Sequence, residues 1–488
     1  MNVLFASIEM SPLAKVGGLG DVAGSLPRAL REAGADVRIA MPMHGAIDRT
    51  VLSPRKILDD VKVPWPGGDE RVDLWTEEVR GVPVYLIENR RYFGRETVYG
   101  FDDDPERFLF FCDALLACAP HLGFTPDVVH AQDWHTGFLL ARLAQSEDSP
   151  WSGAGRVYTI HNLGLQGNFD EAFAHRHGLT SALTPPPPAE GDEGLTAESV
   201  LSGMALGIIH AGRVNTVSAT YAREILTPEY GAGLDPLLRA RADALSGIVN
   251  GIDYDEFNPA TDPAITQHYD ADSIGLRAAN KRALQQEAGL PQDDEAVLFG
   301  VVARLWAQKG IDLVPPAFGP LLASGGAQLA VLGTGDEAVH AALLDLERRH
   351  PHRVKVWLAF DPPLGQRIYA GCDVFLMPSR YEPCGLGQLI SLRYGAVPLV
   401  RRTGGLVDTV QDAGTDLQSG NGFTFGDATP EELREAAERA VAAFARRDAW
   451  RAMQERGMRQ DWSWGRAASQ YLALYREASD EQAAAAEL

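Results

Sequence analysis

Cysteine is scarce in this chain. Four occur in 488 residues (Cys112, Cys118, Cys372 and Cys384), with no Cys-x-x-Cys pair and no histidines placed around them at ligand spacing. This excludes a disulfide-built scaffold and a cysteine-type metal centre, and it suits reduced thiols in a cytoplasmic protein. Long apolar runs are also missing, and none approaches the ~20 residues of a membrane helix. The apolar N-terminus has no basic stretch before it and is interrupted by Glu9, so it predicts a first strand rather than a signal peptide. Positive charge is in deficit: 44 Lys and Arg against 66 Asp and Glu leave a formal net charge of −22. Such a balance argues against nucleic acid and anionic membranes as partners. A small anionic ligand stays open, because local charge decides that.

The hydrophobic content of 45% and charged content of 23% are those of a globular protein. The length exceeds what one core supports, so two domains are expected. Short apolar runs alternate with helical patterns, the order that builds parallel α/β sheets. In the first half the predicted strands are Val3–Ile8, Asp36–Ala40, shorter strands between 60 and 90, Val128–His130, Val157–Ile160 and, last, Val214–Ser218. A turn-rich stretch from Gly247 to Pro263 marks the crossing to a second half. Its predicted strands are Val297–Val302, Gln328–Gly333, Val354–Leu358, Asp373–Met377 and Val397–Val400, and alanine-rich helices follow from about 430. The fold class is α/β, with two doubly wound, Rossmann-like parallel-sheet domains. The predicted boundaries are 1–250, joined by a C-terminal helix at 465–488, and 251–464. Two such domains facing one another would bring both sets of strand ends to one cleft. The run Pro185–Pro188 and the acidic residues after it read as a mobile loop or lid.

Polar clusters fall at the carboxyl ends of these strands, where ligands of open α/β sheets bind. After the first strand stands Lys15-Val16-Gly17-Gly18-Leu19-Gly20-Asp21, followed by a helical pattern. Glycines there let backbone N–H groups face an anion, the helix start adds partial positive charge, and Lys15 adds a full one. The spacing is not that of a dinucleotide fingerprint, and a tight turn without a ligand explains it equally well. Asp133-Trp134-His135 and His161-Asn162 end two further strands. In the second half, Arg304 and Lys309 form a fork and a point charge suited to a diphosphate, or a solvated surface pair. Gly385-Leu386-Gly387 opens a helix. Glu382 just before it can accept sugar hydroxyls, or serve as the charge partner of that helix start.

Taken together, the Lys15–Val22 stretch, Asp133-Trp134-His135, His161-Asn162-Leu163, Arg304-Leu305 with Gln308-Lys309-Gly310, Pro378–Leu386 and Arg401-Arg402-Thr403-Gly404-Gly405-Leu406 span most of the chain in order. In these stretches the sequence resembles bacterial glycogen synthases and plant starch synthases, glycosyltransferase family five of the GT-B fold. The resemblance implies retaining transfer of glucose from ADP-glucose to the non-reducing end of glycogen or another α-1,4-glucan, with neither metal nor pyridoxal phosphate. It further implies that Lys15, Gly17 and Gly18 contact the donor phosphates and that Arg304 and Lys309 stabilise the leaving diphosphate. Glu382 would hold the glucose, His161 would present its carbonyl near the anomeric carbon, and Asp133 would line the acceptor side. Asp21, His135, Asn162, Gly385, Leu386, Thr403 and Gly404 complete the implied substrate contacts. The chain departs from the family pattern at Gln132, where many relatives have histidine, at Gly387, where threonine is common, and over 184–210. Two other readings go with the same residues: a UDP-glucose-using glucan synthase, and a catalytically silent glucan-binding protein.

Overall fold

The computed structural model describes residues 1–146, 148–192 and 195–486. Glu193 and Gly194, in the acidic stretch after the proline run, lie outside them. The chain forms two compact units, Met1–Gly251 with Trp464–Leu488, and Ile252–Ser463.

The first unit holds nine strands: β1 (Asn2–Ala6), β2 (Asp36–Pro42), β3 (Arg55–Val63), β4 (Glu70–Val79), β5 (Val82–Glu88), β6 (Val128–Gln132), β7 (Gly155–Ile160), β8 (Arg213–Thr216) and β9 (Leu245–Gly247). Their order in the sheet is β3-β4-β5-β2-β1-β6-β7-β8-β9. Strands from β5 to β9 pair in parallel, while β3 and β4 add an antiparallel edge. A two-residue turn joins β4 to β5, with Arg80 at φ 50° and Gly81 at φ 79°, the left-handed pair that matches the twist of a hairpin. The central strands read as unbroken apolar runs because both faces are covered; Val3, Leu4, Phe5 and Ala6 are fully buried. The last helix, Trp464–Ala486, supplies part of that cover. Tyr475 bonds His130 of β6 at 2.8 Å and Tyr471 accepts from Asn215 of β8 at 3.0 Å, which explains why the chain's end belongs to its first unit. The β8 strand is not the last of this half: β9, only three residues long, follows it.

The second unit is built on six parallel strands: β10 (Val297–Val302), β11 (Ala327–Leu332), β12 (Val354–Trp357), β13 (Val374–Met377), β14 (Val397–Arg401) and β15 (Phe423–Phe425). Their order is β12-β11-β10-β13-β14-β15. Phe299, Val301, Leu329, Val331, Leu376 and Leu399 form the middle of its core, packed by Phe318, Leu343 and Leu433 from surrounding helices. Each sheet therefore reverses its winding once, between β1 and β6 and between β10 and β13. Those switch points leave a crevice at the carboxyl strand ends, where the connecting loops diverge.

The proline run carries Leu183 buried at its start, and Asp192 at its far side is gripped by Arg239 at 2.6 and 3.1 Å. Among the described residues no helix is long and apolar enough to cross a membrane.

The helix Asp133–Gln145 crosses the helix Gly203–His210 at very close range. A methyl on Gly137 would stand 2.0 Å from the Gly203 carbonyl oxygen, and one on Gly203 would stand 2.4 Å from that of Trp134. These atoms are backbone and cannot swing aside. Gly137→Ala should therefore destabilise the first unit by about 1–3 kcal/mol, the range of core overpacking. Urea denaturation measures it, and an unchanged midpoint would show that the crossing is not constrained.

Candidate active site

At the end of β1 the chain turns through Ser7–Lys15 into the helix Gly18–Glu32. Gly17 is extended, at φ −138° and ψ −165°, so its backbone makes no demand for glycine. What distinguishes Gly17 and Gly18 is space: a side chain at either would meet no atom within 4 Å. The loop is organised by Glu9, which is 2% exposed. Its Oε2 accepts the N–H groups of Val16 at 2.6 Å and Gly17 at 2.8 Å, and its Oε1 accepts the Tyr99 hydroxyl at 3.1 Å. The sequence reading gives the Gly17 N–H to a phosphate; in the structure it is committed to this carboxylate. Burial raises the Glu9 pKa against those hydrogen bonds. Lys15 pairs with Asp21 at 2.6 Å, and burial raises the pKa of Asp21.

Asp133 follows β6 directly and opens the next helix with φ at 56°, a left-handed backbone that is unusual for a non-glycine residue. That turn aims its carboxylate across to the end of β7, where Oδ1 accepts the N–H of His161 at 2.7 Å and of Asn162 at 3.4 Å. Burial pushes the Asp133 pKa from 3.8 to about 7, helped by the nearby Glu9 charge and opposed by the two backbone N–H groups. His161 is gripped on its ring as well, with Nε2 at 2.8 Å from Gln132 Oε1. Burial lowers its pKa to about 3, so the imidazole is neutral. Its carbonyl accepts no hydrogen bond from the described residues. Asn162 turns its side chain onto the Gly164 N–H at 3.0 Å. His135 is only 5% exposed, packed against Tyr99, Phe108 and Trp134. The structure thus makes His135 part of the wall, where the sequence reading has it touching substrate.

In the second unit three loops interlock at the ends of β10, β13 and β14. Gly310, at φ 65°, lets the β10 loop press against the β13 loop, since a methyl there would sit 1.9 Å from the Pro378 carbonyl oxygen. Arg380 N donates to Gln308 O at 2.9 Å, and Arg401 of β14 donates to Arg380 O at 2.9 Å. Gly405 N donates to the carbonyls of Glu382 and Pro383, both at 3.1 Å. A methyl on Gly404, φ 46°, would stand 2.0 Å from Glu382 O. This mesh sets Lys309 Nζ 2.6 Å from Glu382 Oε2, which also accepts from the Ser379 hydroxyl at 3.0 Å. Glu382 is 6% exposed. Arg304, on the same loop as Lys309, lies exposed, its guanidinium 4.4 Å from the Trp306 ring centre, with no carboxylate partner among the described residues. Thr403 is fully buried and its hydroxyl oxygen has no partner among the described residues. The helix past Leu386 starts at Gly387, five residues after Glu382, and runs only to Arg393, so Glu382 sits on the loop and not at the helix start. Gly387 matches the packing beneath it: a methyl there would meet Phe375 at 2.9 Å and Met377 at 3.2 Å.

Within the first unit the structure joins Asp133, His161 and Asn162 by hydrogen bonds, and Lys15 to Asp21. Within the second it joins Lys309 and Glu382 and stacks the Gly404 turn on the latter. Sequence reasoning gave no role at the site to Glu9, Tyr99, Ser379 or Phe360. The signal for Glu9 was its position, an acid inside an apolar strand exit. Phe360 follows β12 and is 88% exposed, the most exposed large apolar side chain described. An aromatic beside a proline pair at a strand end was the available clue.

A family model described as starch synthase catalytic domain matches residues 2–240, and one described as glycosyl transferases group 1 matches residues 296–443. A glycogen synthase from Moorella thermoacetica is 44% identical, covering 99% of this chain and 98% of its own. One from Anaeromyxobacter dehalogenans is 46% identical over 98% of this chain and 99% of its own. Among solved structures, the catalytic domain of starch synthase IV from Arabidopsis thaliana, bound to ADP and acarbose, superposes with a TM-score of 0.85 at 33% identity, covering 98% of this chain and 99% of that one.

Asp133 makes the first unit sensitive to pH. Its folded pKa lies above the unfolded one, so its contribution to stability is complete below the unfolded value near 3.8 and is lost as pH rises through about 7. Asp133→Asn keeps an acceptor for His161 N and cannot ionise. Between about pH 5 and about pH 9 the wild type should lose roughly 2–3 kcal/mol relative to this variant. Denaturant titrations at the two pH values test it; parallel behaviour would mean that Asp133 ionises freely in the fold.

Proposed function

Because the chain belongs to the glycogen synthase family of glycosyltransferases, we propose that it transfers glucose from ADP-glucose to the non-reducing end of an α-1,4-glucan, with retention of configuration and release of ADP. The observation that carries this reading is the interlocked loop set of the second unit, with Lys309 and Glu382 held 2.6 Å apart and Arg304, on the same loop as Lys309, without a carboxylate partner among the described residues. A sugar diphosphate asks for this combination: cations for the phosphates and a fixed carboxylate for hydroxyls.

Departure of ADP puts growing negative charge on its β-phosphate. Cations already in place act more strongly on that charge than on the ground state, and so lower the barrier. We assign this role to Lys309 and Arg304. Glu382 takes hydroxyls of the transferred glucose, with Ser379 and Lys309 fixing its carboxylate in advance. The exposed ring of Phe360 suits a stacked nucleobase. The first unit is assigned the acceptor. Asp133 is assigned to that side, and the His161 carbonyl, which accepts no hydrogen bond from the described residues, is assigned to the positive charge that develops on the anomeric carbon. The open space over Gly17 and Gly18 and the charge of Lys15, paired with Asp21, are assigned to the donor phosphates. The remaining implied contacts, Asp21, Asn162, Gly385, Leu386, Thr403 and Gly404, support these groups. No step in this scheme draws on a metal or on pyridoxal phosphate. A cytoplasmic site of action suits the four cysteines, all buried and held as thiols outside any disulfide.

Two measurements test the reading. Glucose incorporation into glycogen, run with ADP-glucose and UDP-glucose side by side, should favour ADP-glucose. Incorporation from UDP-glucose alone overturns the donor, and none from either overturns the reaction. Lys309→Ala should lower kcat by roughly 10²–10³, the scale of removing one electrostatic stabiliser. An unchanged kcat removes Lys309 from the leaving-group role.

A further inference from the structure

Gln132 is the last residue of β6, fully buried, and stands opposite Thr159 of β7, two residues before His161. Its main chain is tied to Thr136, whose hydroxyl accepts from Gln132 N and donates to Gln132 O at 2.8 Å. Its side chain therefore leaves from a fixed backbone and reaches diagonally to the next strand's end. There Oε1 meets His161 Nε2 at 2.8 Å, while the other amide atom, Nε2, has no partner among the described residues. The neighbouring residue, Asp133, holds the His161 N–H. Two consecutive residues of one strand end thus clamp a single residue of the next, one by its ring and one by its backbone.

An amide oxygen can only accept. The ring nitrogen facing it must carry the proton, and the second ring nitrogen of a neutral imidazole is then an acceptor. His161 Nδ1 makes no hydrogen bond with any described residue. A carboxylate in place of the amide would accept the same bond but would favour the charged ring, turning both nitrogens into donors. The ionisable groups around the ring are His130 on β6, His135 on the helix after it, and Asp133 between them. Burial lowers the pKa of both histidines, leaving the pair uncharged. Asp133 is directed at the backbone and not at the ring.

We infer that Gln132 is a positioning residue that locks the His161 ring in one orientation and in the neutral, Nε2-protonated form, keeping Nδ1 as an acceptor toward a hydroxyl of the substrate. The role of Nδ1 toward a substrate hydroxyl rests on the glucosyl-transfer reading above; the lock itself does not. The neutrality of His161 follows from its surroundings and is made independent of pH by a partner that does not titrate. The arrangement also separates two functions of one residue. Asp133 governs where the His161 carbonyl lies, and Gln132 governs what the ring presents.

The test is a long-range 1H–15N correlation spectrum of the full chain labelled with 15N-histidine, with the His161 signals assigned by their loss in His161→Ala. The wild type should show the Nε2-protonated tautomer, unchanged from about pH 5 to about pH 9. Nδ1 protonation, or a tautomer mixture, overturns the proposal whether or not any variant folds. Gln132→Leu should give a tautomer mixture and lower kcat/KM by roughly tenfold to a hundredfold, the scale of misplacing one contact. Gln132→Glu should produce a doubly protonated ring near neutral pH and add an ionisation to the pH profile of kcat/KM. Unaltered rates and pH profiles in both variants overturn the role in the reaction. The spectra need no substrate, so a wild type that shows the lock but transfers no glucose refutes the glucosyl-transfer reading and leaves the lock standing.

Discussion

A carboxylate removed from water must be met by donors or it forces the structure apart. Glu9, Asp133 and Glu382 are all nearly buried, and each is met by donors from a loop at a strand's carboxyl end. Glu9 gathers the amides of Val16 and Gly17 and so shapes the glycine loop. Asp133 gathers the amides of His161 and Asn162 and ties β6 to β7 beyond the end of their ladder. Glu382 takes Lys309 and Ser379, and its own carbonyl takes Gly405 N. The loops have little regular structure of their own. Their shapes are consequences of these acids needing partners.

The same requirement places reactive groups without fixing them rigidly to substrate. Losing either partner of a buried ion pair is damaging, on the order of 3–5 kcal/mol, because the other is left uncompensated. Lys309 and Glu382 therefore hold each other in place. Arg304 is held differently, by stacking on Trp306, and keeps its fork available. In a protein with a net charge of −22, an exposed arginine without a carboxylate partner among the described residues marks where an anion is expected.

Much of the fold was legible from sequence because period and length are local properties. The strand over Val297–Val302 was readable to the residue, since a short apolar run closed off by Glu295 and Arg304 has few other interpretations. The short strands β9 and β15, three residues each, were not legible. A strand of that length has no pattern of its own and exists because a neighbouring edge offers hydrogen bonds. The motif residues were legible as a set, through their order and spacing. Their partners were not: nothing local announces that Glu9 takes the Gly17 amide, or that His135 packs inward while Asp133 beside it turns across to β7.

What the sequence determined by itself, then, was the class of fold, the two-unit division implied by length and alternation, and the membership carried by its ordered motifs. The tertiary structure decided which donors each buried acid captures, which ring nitrogen of His161 is left open, and which glycines are there for room and not for backbone freedom. Those are relations between residues far apart along the chain. They depend on how two strand ends and their loops meet in space, and no single stretch of sequence holds both halves of such a contact.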